Sequence, residues 1–273
     1  MTENSFQPQA RVLVLMVSNA NIVGACFDKC QLSERIFLDI RKFWTEKLEL
    51  FLRDGGDISY AFLGSVNHRL DHKITEILRR YQIPFSFVEE HQFLLEIDTG
   101  NLQGLGADRL ADVYGALKLH PGNSIVINIG TVACFNVVSE ERGFISGAIY
   151  PGLEMGARAL AQQTDLLPCV DISKPEMCGS TTTKGNIRGG LYYGFLGAVE
   201  RILHLLKEEN FSSSASSQVI LTGNDIADID DEPDHHTSAE TLKQDLAPLV
   251  DVIEPDLTLI GLHEMYQQLH INK

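Results

Sequence analysis

One structural plan occurs twice in this chain. The run Val12-Leu13-Val14-Leu15-Met16-Val17, within Arg11–Val17, has strand length and is wholly apolar; Ser18-Asn19-Ala20-Asn21 is a cluster of turn formers; Ile22–Phe27 resumes the apolar pattern. This order predicts a buried strand, a tight turn and a return strand. The same order recurs at Ser124–Ile129, Gly130-Thr131 and Val132–Val138. Aligned, Leu15-Met16-Val17-Ser18-Asn19-Ala20 and Ile127-Asn128-Ile129-Gly130-Thr131-Val132 each run from strand through small residues into strand. A chain of 273 residues that holds this plan twice is expected to build two like halves, each with its own core. His120-Pro121-Gly122 stops the preceding pattern, which places the halves at 11–121 and 122–270.

The remaining periodicities fill in both halves. Apolar residues at Phe37, Ile40, Phe43, Trp44, Leu48 and Phe51 suit one face of a helix over Phe37–Leu52. Ile58–Gly64 reads as a strand, Leu70–Tyr81 as an amphipathic helix, Pro84–Val88 as a short strand and Asp108–Leu119 as a helix. In the second half, helices are expected over Pro151–Thr164, Thr183–Glu209 and Leu257–Leu269, with a strand at Val219–Gly223. Phe211–Ser217 is a Ser-rich linker and Asp228–Asp234 an acidic surface loop. Two mixed strand-and-helix halves facing each other leave a cleft, the usual place for a ligand.

Charge removes several kinds of partner. With 22 Lys+Arg against 37 Asp+Glu the net charge is −15, so nucleic acid and anionic membrane surfaces are excluded as partners. No apolar run approaches the ~20 residues that cross a bilayer. Met1–Ala10 is polar, lacks the apolar stretch of a signal peptide and is expected to be a short disordered tail. The five cysteines have no CxxC spacing and three lie in apolar runs, which suits buried free thiols in a reducing, cytoplasmic setting. His235-His236 sits in a charged loop without further ligands and does not suggest zinc. No GxGxxG follows the first strand, which disfavours a dinucleotide-binding fold.

Read locally, Asp108 is a favoured helix cap, Arg109 a solvated cation and Gly130-Thr131 a plain hairpin turn. A longer pattern weighs against those readings. Gly106-Ala107-Asp108-Arg109, Gly130-Thr131 and Gly147-Ala148-Ile149-Tyr150-Pro151-Gly152 are followed in order by Ala159-Leu160, Thr164, Leu167-Pro168, the stretch Thr183 to Gly194, Val219–Gly223 and Leu257–Leu262. This ordered set, spread over nearly the whole chain, resembles the type III pantothenate kinases. The resemblance implies an α/β architecture of duplicated ribonuclease H-like, actin-like ATPase domains with an interdomain cleft, the second half carrying dimer-forming helices. It also implies transfer of the γ-phosphoryl of ATP to pantothenate, in coenzyme A biosynthesis, with Mg²⁺ and a monovalent cation (potassium or ammonium) as cofactors. Asp108 would accept the hydroxyl proton, with Gly106, Ala107 and Arg109 beside the substrate. Ser18, Asn19, Asn21, Gly130, Thr131, Thr222 and Gly223 would face the nucleotide. Thr183, or its neighbour Thr182, matches the threonine that reaches pantothenate across the family's dimer interface.

The departures from the family fall on its charged positions. The first phosphate loop of the family reads Asp-x-Gly-Asn-Thr-Asn; here it is Met16-Val17-Ser18-Asn19-Ala20-Asn21. The aspartate that holds the cation becomes Asn128, a neutral oxygen donor; a tyrosine near the substrate becomes Thr99; a proline becomes Leu102; and a glycine becomes Asn224. A thioether is a poor ligand for hard Mg²⁺. Three readings follow. The chain is one subunit of a hetero-oligomeric pantothenate kinase, lending its surface to an intact second family member; or it is a weakly active homodimer; or it is a non-catalytic regulatory or binding member of the family.

Overall fold

The apolar runs that open each half become the central strands of two sheets. A computed structural model describes residues 11–89, 93, 105–212, 216–226 and 233–270, with side chains described from 240 onward in the last stretch. The chain divides into one unit of Met1–Leu119 with Leu257–Lys273, and a second of His120–Asp256.

In the first unit β1 (Arg11–Val17), β2 (Asn21–Asp28) and β3 (Gln31–Asp39) form an antiparallel meander; α1 (Trp44–Asp54), β4 (Ile58–Ser65), α2 (His68–Arg80), β5 (Phe85–Phe87) and α3 (Ala107–Leu119) follow. The sheet order is β3-β2-β1-β4-β5, with β4 parallel to both β1 and β5. Because side chains alternate across a strand, Leu13, Leu15 and Val17 face a core shared with Leu48 and Leu52 of α1 and Ile74, Ile77 and Leu78 of α2.

The second unit repeats the scheme with β6 (Ser124–Ile129), β7 (Val132–Ser139), β8 (Gly143–Pro151), α4 (Leu153–Gln163), α5 (Thr183–Asn210), β9 (Gln218–Thr222), α6 (Pro233–Leu246), a short 3-10 turn at Ala247–Leu249 and β10 (Val252–Ile253). Its order, β10-β9-β6-β7-β8, is that of the first sheet, with β6 antiparallel to β7 and parallel to β9. Ile125, Ile127, Ile129, Phe135 and Val137 pack there against Tyr192, Phe195, Val199 and Leu203 of α5. Two sheets of one order, each with an antiparallel meander continued by parallel strands, make the duplicated actin-like fold. The closing helix, α7 (Leu257–His270), belongs to the first unit.

Four differences from the sequence expectation have physical causes. Phe37–Asp39 ends β3, paired with β2 through Phe37↔Val23 and Leu38↔Ile22, and the helix begins only at Trp44. The apparent helical spacing of Phe37 and Ile40 joined the end of a strand to the start of a helix. Pro151 ends β8, a strand the sequence reading did not identify, and α4 starts two residues later. Residues 228–232 of the expected acidic loop lie outside the described residues, and Pro233 opens a helix instead, suiting a proline's missing N–H. Finally, α7 joins the first unit rather than the half that ran to residue 270, because Gly261 lets its backbone lie against that of α3 at Ala111.

Candidate active site

The carboxyl ends of the parallel strands β1 and β4 carry the first group of candidate residues. Ser18 closes the β1–β2 turn by donating its N–H to the Asn21 carbonyl (2.9 Å), and Asn67 Nδ2 donates to the Ser18 carbonyl (3.4 Å). Asn19, at the tip, is exposed. Val66 is tied to the same corner by its N–H on the Val17 carbonyl (2.9 Å). A Cβ on Gly106 would come 3.2 Å from Val66 Cγ1 and 2.6 Å from Asp108 Oδ1, so only glycine leaves room for the carboxylate there. The Ser18 turn and the start of α3 therefore meet at one edge of the first unit.

Asp108 lies in the first turn of α3, its Oδ1 accepting the Arg109 N–H (2.8 Å). Burial raises its pKa above the usual carboxylate value, while the Arg109 amide and guanidinium oppose the rise. It is a half-buried carboxylate inside the first turn of α3, rather than the cap in front of the helix that the local sequence suggests. Ala107 is buried and Arg109 half-buried. One turn further on, Asp112 is 1% exposed and accepts from Thr258 Oγ1 of α7 (2.6 Å). That bond fastens the helix bearing Asp108, and the sequence reading gave neither of its residues a role.

Met16 has the opposite character. It is 4% exposed and stands opposite Gly64 in the β1–β4 register. A Cβ on Gly64 would meet Met16 Sδ at 2.9 Å, Leu262 Cδ2 at 3.0 Å and Ala107 Cβ at 3.4 Å. The thioether thus fills an apolar slot between β4, α3 and α7. The residues at this position do not fit Mg²⁺, which needs hard oxygen ligands.

The second group lies within the second unit. Gly130-Thr131 joins β6 to β7, with the Gly130 N–H on the Val132 carbonyl (3.0 Å) and the Thr131 carbonyl accepting from Gly152 (3.1 Å). Gly223, at φ +114, follows β9, and a Cβ there would collide with the Ile129 backbone. The Asp225 N–H donates to the Ile129 carbonyl (3.1 Å). Thr222 is fully buried, with no hydrogen-bond partner for Oγ1, and pairs in register with Asn128, which faces Cys134 on its other side. Asn128 and Thr222 therefore share one sheet face where a carboxylate was expected for a cation. Asp225, also missed in the sequence, has its pKa pushed up to about 7 by burial and by the charge of Glu154. Among the described residues no cluster of three or more His, Cys, Asp or Glu side chains is placed to hold a metal.

The threonines at the start of α5 have separate tasks. Thr182 is the N-cap, its Oγ1 accepting the Gly185 N–H (3.1 Å), whereas Thr183 is the first helical residue and is exposed. Of the two, Thr183 has the hydroxyl that is not engaged in capping. Thr99 and Leu102 lie outside the described residues. None of the helices described is long and apolar enough to cross a membrane.

Known proteins give this geometry a family. The family description "Type III pantothenate kinase" matches residues 12–205. A type III pantothenate kinase from Agathobacter rectalis is 30% identical over 268 residues, 94% of this chain and 97% of that protein. Another, from Dehalococcoides mccartyi, is 30% identical over 173 residues, 63% of this chain and 60% of that protein. Among solved structures, the ethanolamine utilization protein EutJ of Carboxydothermus hydrogenoformans superposes with a TM-score of 0.51 at 11% identity, covering 94% of this chain and 90% of that one, a likeness of fold alone. Matched by the family over most of its length and by a relative of equal extent, this chain belongs to the type III pantothenate kinase family.

Proposed function

We propose that the chain takes part in the ATP-dependent phosphorylation of pantothenate as an atypical subunit of a hetero-oligomeric kinase. The observation that carries this reading is the contrast within the first unit. The carboxylate proposed as base, Asp108, is half-buried and held by the Arg109 N–H, while the position that should carry the metal-binding carboxylate is packed as apolar core by Met16. In the reaction, the pantothenate hydroxyl oxygen forms a bond to the γ-phosphorus as the bond to the β,γ-bridging oxygen breaks; the hydroxyl proton passes to Asp108 and ADP leaves. Arg109 would set its planar fork against an anionic group of the substrate, and Thr131 with the neighbouring amides would offer donors to phosphate. Mg²⁺ would neutralise phosphate charge on ATP, and a monovalent cation would add to that. Position 16 provides no ligand for the first, and Asn128 gives the second a neutral oxygen only.

The test compares the chain alone with the chain co-expressed with a family member whose first loop keeps its aspartate. Phosphorylation of pantothenate is expected to rise on co-expression, and to fall in the complex when this chain carries Asp108→Asn. Equal turnover with and without the second member would sink the hetero-oligomer. A second reading, a homodimer sufficient in itself, is favoured by Asp225, a carboxylate beside the second glycine turn. In that case the chain alone turns over and Asp225→Asn abolishes turnover.

A further inference from the structure

A hydrogen-bonded chain joins the end of β4 to the first turn of α2. Ser65, the last residue of β4, donates from Oγ to Asp71 Oδ1 (2.6 Å). The other oxygen of Asp71, Oδ2, meets His68 Nδ1 at 2.9 Å. The Asn67 N–H donates to Ser65 Oγ (3.3 Å), so the serine hydroxyl is used as donor and acceptor at once. An ionised carboxylate can only accept, so the bond to Asp71 puts a proton on Nδ1 and turns the Nε2 edge of His68 outward. The Asp71 side chain is 22% exposed and that of His68 82%. The carboxylate is anchored and the imidazole presented.

Its place in the fold gives this arrangement a use. Ligands of open α/β sheets bind at the carboxyl ends of the parallel strands. His68 follows directly on Asn67, whose side chain holds the Ser18 carbonyl, and on Val66, which abuts the position of Gly106. In a chain with a net charge of −15, an anionic ligand needs the cations that stand near it. With Nδ1 bonded to Asp71, Nε2 donates to an oxyanion only in the imidazolium form, so binding of an anion there is linked to uptake of a proton by the ring.

We propose that His68 is a further binding residue, its Nε2–H taking an oxyanion of the ligand held at the ends of β1 and β4, with Asp71 and Ser65 as positioning residues. The oxyanion is a carboxylate or a phosphate oxygen. This rests on the reading that these strand ends receive pantothenate or the phosphates of ATP.

The test uses the full chain with ring-labelled histidine, titrated separately with pantothenate and with inorganic tripolyphosphate. The His68 ring resonances are expected to move with one of the two. Affinity for that anion should fall roughly 5- to 10-fold in His68→Ala, fall in part in Asp71→Asn, and recover in His68→Lys, which restores a cation. Movement with pantothenate alone assigns the carboxylate, and with tripolyphosphate alone the phosphate. If the wild-type chain binds both anions and His68→Ala binds them equally well, the assignment of His68 is overturned while the kinase reading stands. If neither anion moves the His68 resonances, in the chain alone or in its complex with the intact family member, the assignment of His68 is overturned, whereas the kinase reading falls only if that complex fails to phosphorylate pantothenate.

Discussion

Met16 and His263 carry the sharpest consequences at the scale of single residues. The slot around Met16 is lined by Gly64, Ala107 and Leu262, so restoring the family's aspartate there places a carboxylate among carbon atoms. Met16→Asp is expected to lower stability by ~2–4 kcal/mol in urea unfolding and to leave the chain without restored turnover. Met16→Leu, which conserves volume, should cost less than ~1.5 kcal/mol. His263 stacks on Phe27 (centroids 4.1 Å apart, planes at 6°) and is 4% exposed. Burial, with the nearby charge of Lys118, lowers its pKa from 6.5 to about 4. The unfolded chain therefore takes up this proton first as the pH falls. The stability contributed by neutral His263 is complete above pH 6.5 and is lost as the pH falls from there to about 4, by ~3 kcal/mol at most. Asp225 has the opposite sign, because its folded pKa is raised to about 7 from 3.8. Its contribution is full below pH 3.8 and is lost as the pH rises to about 7. Melting temperature against pH should lose its acid-side slope in His263→Phe, and should rise at pH 8 in Asp225→Asn.

The pairing of α3 with α7 governs the candidate base at the scale of elements. The two helices cross where Gly261 faces the Ala111 backbone, and Asp112 with Thr258 adds a buried hydrogen bond close by. Lys118 and Glu264 (3.1 Å) tie the far end, although an ion pair as exposed as this adds little. A methyl group at Gly261 collides with the Ala111 carbonyl, so the helices must separate. Gly261→Ala is expected to cost ~2–3 kcal/mol and, since α3 carries Asp108, to lower turnover beyond what the stability loss explains. Thr258→Val keeps the shape but removes one donor from Asp112, a buried carboxylate, and should destabilise by ~1–3 kcal/mol. Calorimetric melting together with turnover measured well below the melting temperature separates the two effects.

At the scale of the whole molecule the first unit is built from both ends of the described chain. The chain leaves the first unit after Leu119, builds the second and returns with α7, which covers the first sheet through Phe27–His263, Tyr60–Tyr266 and Phe62–Tyr266 ring contacts. Removing residues 257–273 should therefore unfold the first unit and spare the second; hydrogen exchange would read this as lost protection in β1 and β4 with protection kept in β6 and β9. The sequence by itself determined the doubled plan. Local period and turn chemistry are written in consecutive residues, so Arg11–Val17 and Ser124–Ile129 could be read as strands. It also located the departures at Met16 and Asn128, since identity at a position needs no coordinates. Tertiary structure alone decided what those positions do. That Met16 is held by Gly64, Ala107 and Leu262, that α7 belongs to the first unit, and that Asp71 joins Ser65 to His68 are facts of packing. Each depends on elements brought together from distant stretches or on side-chain directions at a strand end, and neither leaves a period in the sequence.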